Sequence, residues 1–406
     1  VNETAAHTIL LVSLIKVVVL LFLVLTAVAY LVWFERKLAA HLQGRWGPYR
    51  VGPHGLLQPL ADGVKFLLKE DVSPAGVDRF LYFAAPLITM TLAISAIAMI
   101  PFGPASIHFF GVATPLVVAN INVGLLTILA ITSIGVYGVA LAGWSSNSKY
   151  SLLGGLRSSA QMISYELSLT LSVVGILLLA GTFNLSELIM RQQGFTWGFL
   201  PQWNLLNPTL PQILGLFCYF VAAIAETNRA PFDLAEAESE LVAGYHTEYS
   251  SFKFAMFFLG EYASMITVAC LATILFLGGW LSPFPQRPGL EWTHYLPTAA
   301  LAIGGIALII HGVRYRTILG RIELTVLGVV LVGLSFLCAL PGVIETVEGP
   351  FWFLAKVLLV LFVYVWVRWT LPRFRYDQLM RFGWKFLFPV ALLNVVLTSL
   401  AVVMRK

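Results

Sequence analysis

Ten apolar runs divide this chain, each near or at the length that an α-helix needs to cross a bilayer. They fall at about 9–34, 80–100, 120–143, 160–181, 211–227, 252–277, 297–311, 324–342, 351–371 and 386–404. About 20 apolar residues span the hydrocarbon core, because each helical residue advances ~1.5 Å. No water is available there to hydrogen-bond a free backbone, so only helices and closed barrels cross, and long unalternating runs select helices. The predicted fold is therefore all-α: one polytopic membrane helix bundle over 1–406, with about ten transmembrane helices. Composition agrees, at 59% hydrophobic and 11% charged residues. The first run, after Thr8, is too long for a signal-peptide core and lacks a small-residue cleavage site, so it is taken as the first span.

Between the first two runs lies a long polar stretch, 35–79. Its Leu57, Leu60, Ala61, Val64, Leu67 and Leu68 recur at helical spacing, with Asp62, Lys65 and Lys69 on other faces. That pattern predicts an amphipathic helix lying along the membrane surface. Lys and Arg alternate strongly between successive connections. Seventeen fall in 35–79, 144–159, 228–251, 312–323 and 372–385, against four in the other set. The positive-inside rule then places the first set in the cytoplasm and both termini outside. No internal repeat of the transporter kind is present.

The formal charge of +5 is small and dispersed, which argues against nucleic acid as a partner and reports topology instead. Cys218, Cys270 and Cys338 each stand alone in an apolar run, with no CxxC and no His/Cys pairing at ligand spacing. The expectation is that the chain binds no metal or cofactor of its own. No phosphate-binding Gly-rich loop or nucleophile elbow occurs.

Against this apolar background, seven carboxylates crowd between Glu226 and Glu261: Glu226, Asp233, Glu236, Glu238, Glu240, Glu248 and Glu261. Acids near membrane depth are costly and signal function. Crowded acids repel one another, which raises some of their pKa values and couples their titration, as proton handling requires. Glu166 lies roughly 9 Å into its run and Glu261 roughly 14 Å into the next but one. The structural alternative is an interhelical hydrogen bond from a protonated Glu. Asp233, Glu236, Glu240, Gly244 and Glu248 would share one stripe if the loop is helical, leaving Glu238 on another face; a plain solvated acidic face is the competing explanation.

Four segments carry further chemistry: Trp33-Phe-Glu-Arg-Lys37 with Gln43-Gly-Arg-Trp-Gly-Pro48 and Arg50 to Lys65; Gly143-Trp-Ser-Ser-Asn-Ser-Lys-Tyr150 running on to Glu166; Glu226-Thr-Asn-Arg-Ala-Pro-Phe-Asp233; and Arg373-Phe-Arg-Tyr-Asp-Gln-Leu-Met380 with Gly383-Trp-Lys385. Together, from about Val17 to Pro389, they resemble the H-type membrane subunit of the proton-translocating NADH:quinone oxidoreductase, respiratory complex I. One departure stands out. The family usually passes from near Trp280 to Gly349-Pro-Phe-Trp352 through a short connection, whereas about 70 residues intervene here. An extra transmembrane hairpin at about 286–348 is expected, contacting lipid or a neighbouring subunit.

The resemblance implies a subunit that joins the membrane arm to the peripheral arm in a bacterial-type cytoplasmic (inner) membrane. FMN and Fe–S clusters are then expected in partner subunits, and quinone is the substrate. It further implies a quinone chamber and entrance at Glu35, Arg36, Lys37, Arg45, Asp62, Lys65, Phe232 and Asp233. Glu166, Glu226, Glu236, Glu238, Glu240, Glu248 and Glu261 would form the proton path. Lys149, Arg157, Arg229, Arg368, Arg373 and Arg375 would neutralise acids or dock the peripheral arm, with plain positive-inside signals as the competing explanation. On position alone, Glu35 to Lys37 would serve as a stop signal, although such a signal needs no acid. The stretch 56–70 either anchors the loop to headgroups or frames a portal for an apolar substrate. Lys16 and Lys356 are expected to snorkel outward. Two further readings stay open, a hydrogenase membrane subunit and a self-sufficient ion carrier.

Overall fold

A computed structural model describes residues 3–104, 106–109, 112–196, 198–233, 242–285, 290–315, 318–340 and 342–405. Its helices are α1 (Glu3–Leu42), α2 (Gln58–Leu68), α3 (Arg79–Ile97), α4 (Gly124–Ser145), α5 (Lys149–Ala180), α6 (Leu185–Met190), α7 (Ile213–Glu226), α8 (Ser251–Phe276), α9 (Leu296–Val313), α10 (Ile318–Cys338), α11 (Val343–Thr370), α12 (Tyr376–Phe382) and α13 (Phe388–Arg405). Nine of the described helical segments are long and apolar enough to cross a membrane, and α7 is a shorter tenth. Two small antiparallel pairs, Ser106–Phe109 with Val112–Pro115 and Phe195–Thr196 with Leu200–Pro201, are the only strands among the described residues. The all-α expectation omitted them because neither pair has a long alternating run.

Several helices outrun their apolar cores. Helix α1 continues for 40 residues, so the Glu35-Arg36-Lys37 segment is still helical and keeps one face on the bundle. Helix α5 begins eleven residues before its apolar run, and two glycines permit it. A Cβ on Gly154 would sit 2.6 Å from the Cα of Gly244, and one on Gly155 would sit 3.0 Å from the Cα of Gly143. The backbone at 244–246 thereby rests directly on α5. Helix α2 buries none of its residues and exposes Leu60, Leu67 and Leu68, as a surface amphipathic helix does.

Helix α8 is the most enclosed span, packed by α1, α3, α7 and α11. The five Lys/Arg-rich connections meet at one end of the bundle. Val72 N–H donates to Ser250 Oγ, Asp78 N–H to Ser145 O, His54 N–H to the Tyr315 hydroxyl, and Phe374 N–H to Pro231 O. Helices α9 and α10 form an antiparallel pair against α11.

At the opposite end, Lys356 corrects the snorkelling expectation. Its ammonium is buried and donates to the carbonyls of Leu277 (2.7 Å), Gly279 (3.0 Å) and Leu281 (2.6 Å), with the Trp203 ring 4.2 Å away. Three donors meet three carbonyls, one at the C-cap of α8 and two in the turn that follows it. Lys16 does reach outward, onto the carbonyls of Pro115 and Val117. Lys356→Met keeps the stem but strands three carbonyls, at about 3 kcal/mol or more. A lower dissociation temperature of the subunit from its complex is expected, and an unchanged value would show the cage to be idle.

Candidate functional site

Helix α7 ends at Glu226, and the chain turns back on itself over 227–232. The Gln161 side-chain amide fixes this turn, donating its two hydrogens to Ala225 O and Phe232 O at 2.9 Å, with Asn228 Oδ1 3.2 Å from the same nitrogen. Asn228 takes the left-handed conformation that Asn tolerates (φ 49°), and its amide donates to Ser158 Oγ at 2.7 Å. The turn folds Arg229 inward, where it is only 5% exposed.

Arg229 meets two acids there. Its guanidinium lies 3.8 Å from Glu35 of α1 and 3.4 Å from Glu261 of α8, and stacks over the Tyr262 ring at 4.2 Å. Glu35 is itself buried. It pairs with Arg368 of α11 and accepts from the Tyr262 hydroxyl at 2.7 Å. Four elements therefore converge on one carboxylate carrying two guanidiniums and a phenol. An isolated buried ion would be prohibitive, and the arrangement persists because each charge has hydrogen-bonding partners.

Glu261 faces onward from this cluster. Tyr245 donates to its Oε1 at 3.0 Å, and His246 Nε2 lies 3.9 Å away. Burial pushes the His246 imidazole down to about 4, with the Glu261 charge opposing. His246 is thus neutral near pH 7, and this contact is not a charge pair. Beside Glu261 opens a cavity of about 50 Å³ that also touches Glu226, Thr227, Asn228, Thr132 and Ser264. Its wall is mostly apolar, but its size and the polar groups of Glu226 and Glu261 among its lining residues suit one or more waters. Glu226 lies within electrostatic reach of Glu166, whose carboxylate accepts from Ser133 of α4.

Around the cluster lies a second ring of charge. Arg36 pairs with Asp62 of α2 at 2.8 Å, and Gln58 donates to the other Asp62 oxygen at 2.9 Å. Arg373 pairs with Asp233 at 3.2 Å, while the rings of Phe232 and Phe374 stack at 5.7 Å. Burial raises Asp233 to about 6, with Arg373 opposing, and its Oδ1 has no hydrogen-bond partner among the described residues.

The remaining expected residues separate. Lys37 is half-buried on α1, whereas Arg45, Lys65 and Lys149 are exposed, Arg45 bonding Gln43. Arg157 lies over the Tyr376 ring, and Arg375 is exposed. Glu248 is half-buried, and its backbone carbonyl accepts from Tyr82 at 2.6 Å. Glu236, Glu238 and Glu240 lie outside the described residues. Sequence reasoning gave no role to Gln161, Asn228, Tyr245 and Tyr262, although Gln161 and Asn228 lie within quoted segments and Tyr262 follows Glu261. It also passed over Lys253, which holds Asp71 at 3.0 Å and Ser73 at 2.6 Å and ties the first polar stretch to α8.

Comparisons with known proteins identify the family of the chain. A family model described as NADH dehydrogenase matches residues 15–399. The first of the numbered H-type subunits of NADH-quinone oxidoreductase in Solibacter usitatus is 51% identical over 391 residues, covering 96% of each chain. The second such protein of Koribacter versatilis is 49% identical over 406 residues, 98% of each chain. The H-type subunit of Rhodospirillum centenum is 42% identical over 384 residues, 95% of this chain and 92% of that one. Motif, bundle and similarity converge: the chain belongs to the H-type subunit family of NADH-quinone oxidoreductase and is a multi-pass membrane subunit of that enzyme complex.

Proposed function

We propose that this subunit shapes the quinone chamber and its entrance against the peripheral arm, and starts the carboxylate path that couples quinone reduction to proton translocation. The observation that carries the reading is the continuous run from Glu35 through Arg229 to Glu261 and across the cavity to Glu226. Charge changed at the α1 end is felt at Glu261 through a single guanidinium. At ~4 Å and an effective dielectric of ~20, such pairs interact by about 4 kcal/mol, enough to shift a proton. Helix α2 and the Arg36–Asp62 pair frame a portal through which a membrane-dissolved quinone enters. The Lys/Arg-rich end faces the cytoplasm of a bacterial cell and both termini face outside. FMN and the Fe–S clusters sit in partner subunits, and this chain holds no redox centre for the reaction. The α9–α10 hairpin faces lipid or a neighbouring membrane subunit.

Asp233 tests the chamber assignment. Its pKa is raised to about 6, so the Asp233–Arg373 ion pair exists above that pH and is lost as pH falls through it. Quinone reductase activity is expected to fall below pH 6 in the wild-type complex. Asp233→Asn should sit at the low-pH level throughout, while the ferricyanide reductase profile stays the same in both. A wild-type-like quinone profile from the variant would remove Asp233 from the chamber.

A further inference from the structure

Away from the acid path, two histidines that are 257 residues apart in sequence meet at the Lys/Arg-rich end. His54 Nε2 and His311 Nε2 lie 2.7 Å apart, with ring centroids at 4.9 Å. Tyr315 closes the group, its ring edge-on to both imidazoles and its hydroxyl accepting from His54 N–H at 3.4 Å. His54 sits in the first polar stretch, just before α2. His311 ends α9 of the hairpin.

The backbone at His54 is itself unusual. It holds φ 53° without being glycine, a conformation that costs energy and is kept where a side chain must be aimed. Its neighbours lock it there. A Cβ on Gly55 would lie 2.3 Å from Pro48 O, and one on Gly52 would lie 2.7 Å from the Leu57 side chain. The loop is tight and its imidazole preset.

We propose that His54 and His311 form a two-imidazole site for Zn²⁺ or a similar borderline divalent ion, which clips the α9–α10 hairpin to the loop leading into α2. Two Nε2 atoms facing each other across a single hydrogen bond present their lone pairs to a common point. A tetrahedral ion with Zn–N distances of ~2.0–2.1 Å needs them about 3.3 Å apart, a ring adjustment of about 0.6 Å. Imidazole suits Zn²⁺, Cu²⁺ and Ni²⁺. No third His, Cys, Asp or Glu joins the group among the described residues, so water, or the Tyr315 hydroxyl, completes the coordination. The proton held on one Nε2 moves to Nδ1 of the same ring, and the neutral pair binds without net proton loss. Burial, His311 and Lys37 lower the His54 pKa, which keeps that imidazole neutral and its lone pair free near pH 7. The Lys37 charge also opposes a dication, which sets this apart from a high-affinity structural zinc site. The site departs from the expectation of no metal in the chain, because ligands that far apart form no spacing motif.

The test is Zn²⁺ binding to the purified intact complex, with subunit content checked by immunoblot. His311→Ala and His54→Asn, the latter keeping a residue that tolerates positive φ, should each remove one Zn²⁺ equivalent or weaken it at least ~10-fold. The double variant should lose nothing more, since both side chains serve one ion. Zinc K-edge absorption difference spectra should show nitrogen ligands near ~2.0 Å that vanish in either variant. Equal stoichiometry and affinity in wild type and variants, or losses that add in the double variant, would overturn the site. Neither readout depends on quinone turnover, so the result stands apart from the chamber assignment.

Discussion

Glu35→Gln is expected to lower NADH:quinone reductase activity roughly 10- to 100-fold while leaving NADH:ferricyanide transfer at the wild-type rate. The neutral amide retains the size of the acid and its acceptor oxygen, so Tyr262 keeps a partner. It no longer balances Arg229 and Arg368, two guanidiniums held on one buried carboxylate. Breaking a buried pair from one side costs about 3–5 kcal/mol, because the other charge is left without compensation. Arg229 relieves that cost by moving fully onto Glu261, 3.4 Å away, and takes the stacked Tyr262 ring with it. The chamber wall and the first acid of the path are then disturbed together. Glu35→Asp should fall between, and Glu35→Lys should be worse, placing a further cation beside Arg36 and Lys37. Ferricyanide accepts electrons upstream of quinone, so a parallel fall of both rates in fully assembled complex would refute the chamber role.

How much of this was legible in the sequence depends on the range of the interaction. The span count, the alternation of basic loops and the surface helix α2 follow from local hydropathy and periodicity, and the structure places the basic loops at one end accordingly. Glu261, Glu226 and Glu166 stood out because a carboxylate in an apolar run is conspicuous by itself. Their partners were less conspicuous. The resemblance names Arg229 as a charge partner, but it sits among polar neighbours that look like any inside loop, and only the turn fixed by Gln161 folds it into the protein. Lys356 looked like an interfacial cation because its helix depth was readable while the carbonyls at 277–281 were not. Gln161 and Tyr262 illustrate the same limit. An uncharged polar residue in an apolar run gives a weak signal until the groups it satisfies are known.

The last expectation separates the deep acids from the loop. Glu261→Gln preserves volume and hydrogen-bonding capacity while abolishing titration. Tyr245 still finds an acceptor oxygen at this position, so the fold tolerates the change better than Ala, which would open a cavity next to an existing one. Proton uptake per NADH in closed vesicles should drop to near background, and coupled turnover should slow with it. Glu226→Gln should do the same, because both carboxylates face one cavity of about 50 Å³ and the membrane interior offers few substitutes. If they serve one path, the double variant will be little worse than either single, the non-additivity expected of groups acting in series. Glu248→Gln should have a much smaller effect, since Glu248 lies off the cavity in a loop where other acids can take its place. Immunoblots must show full subunit content for each comparison. Glu261→Gln complexes that assemble and pump at the wild-type rate would reduce Glu261 to a packing hydrogen bond between Arg229 and Tyr245, and the path would have to begin elsewhere.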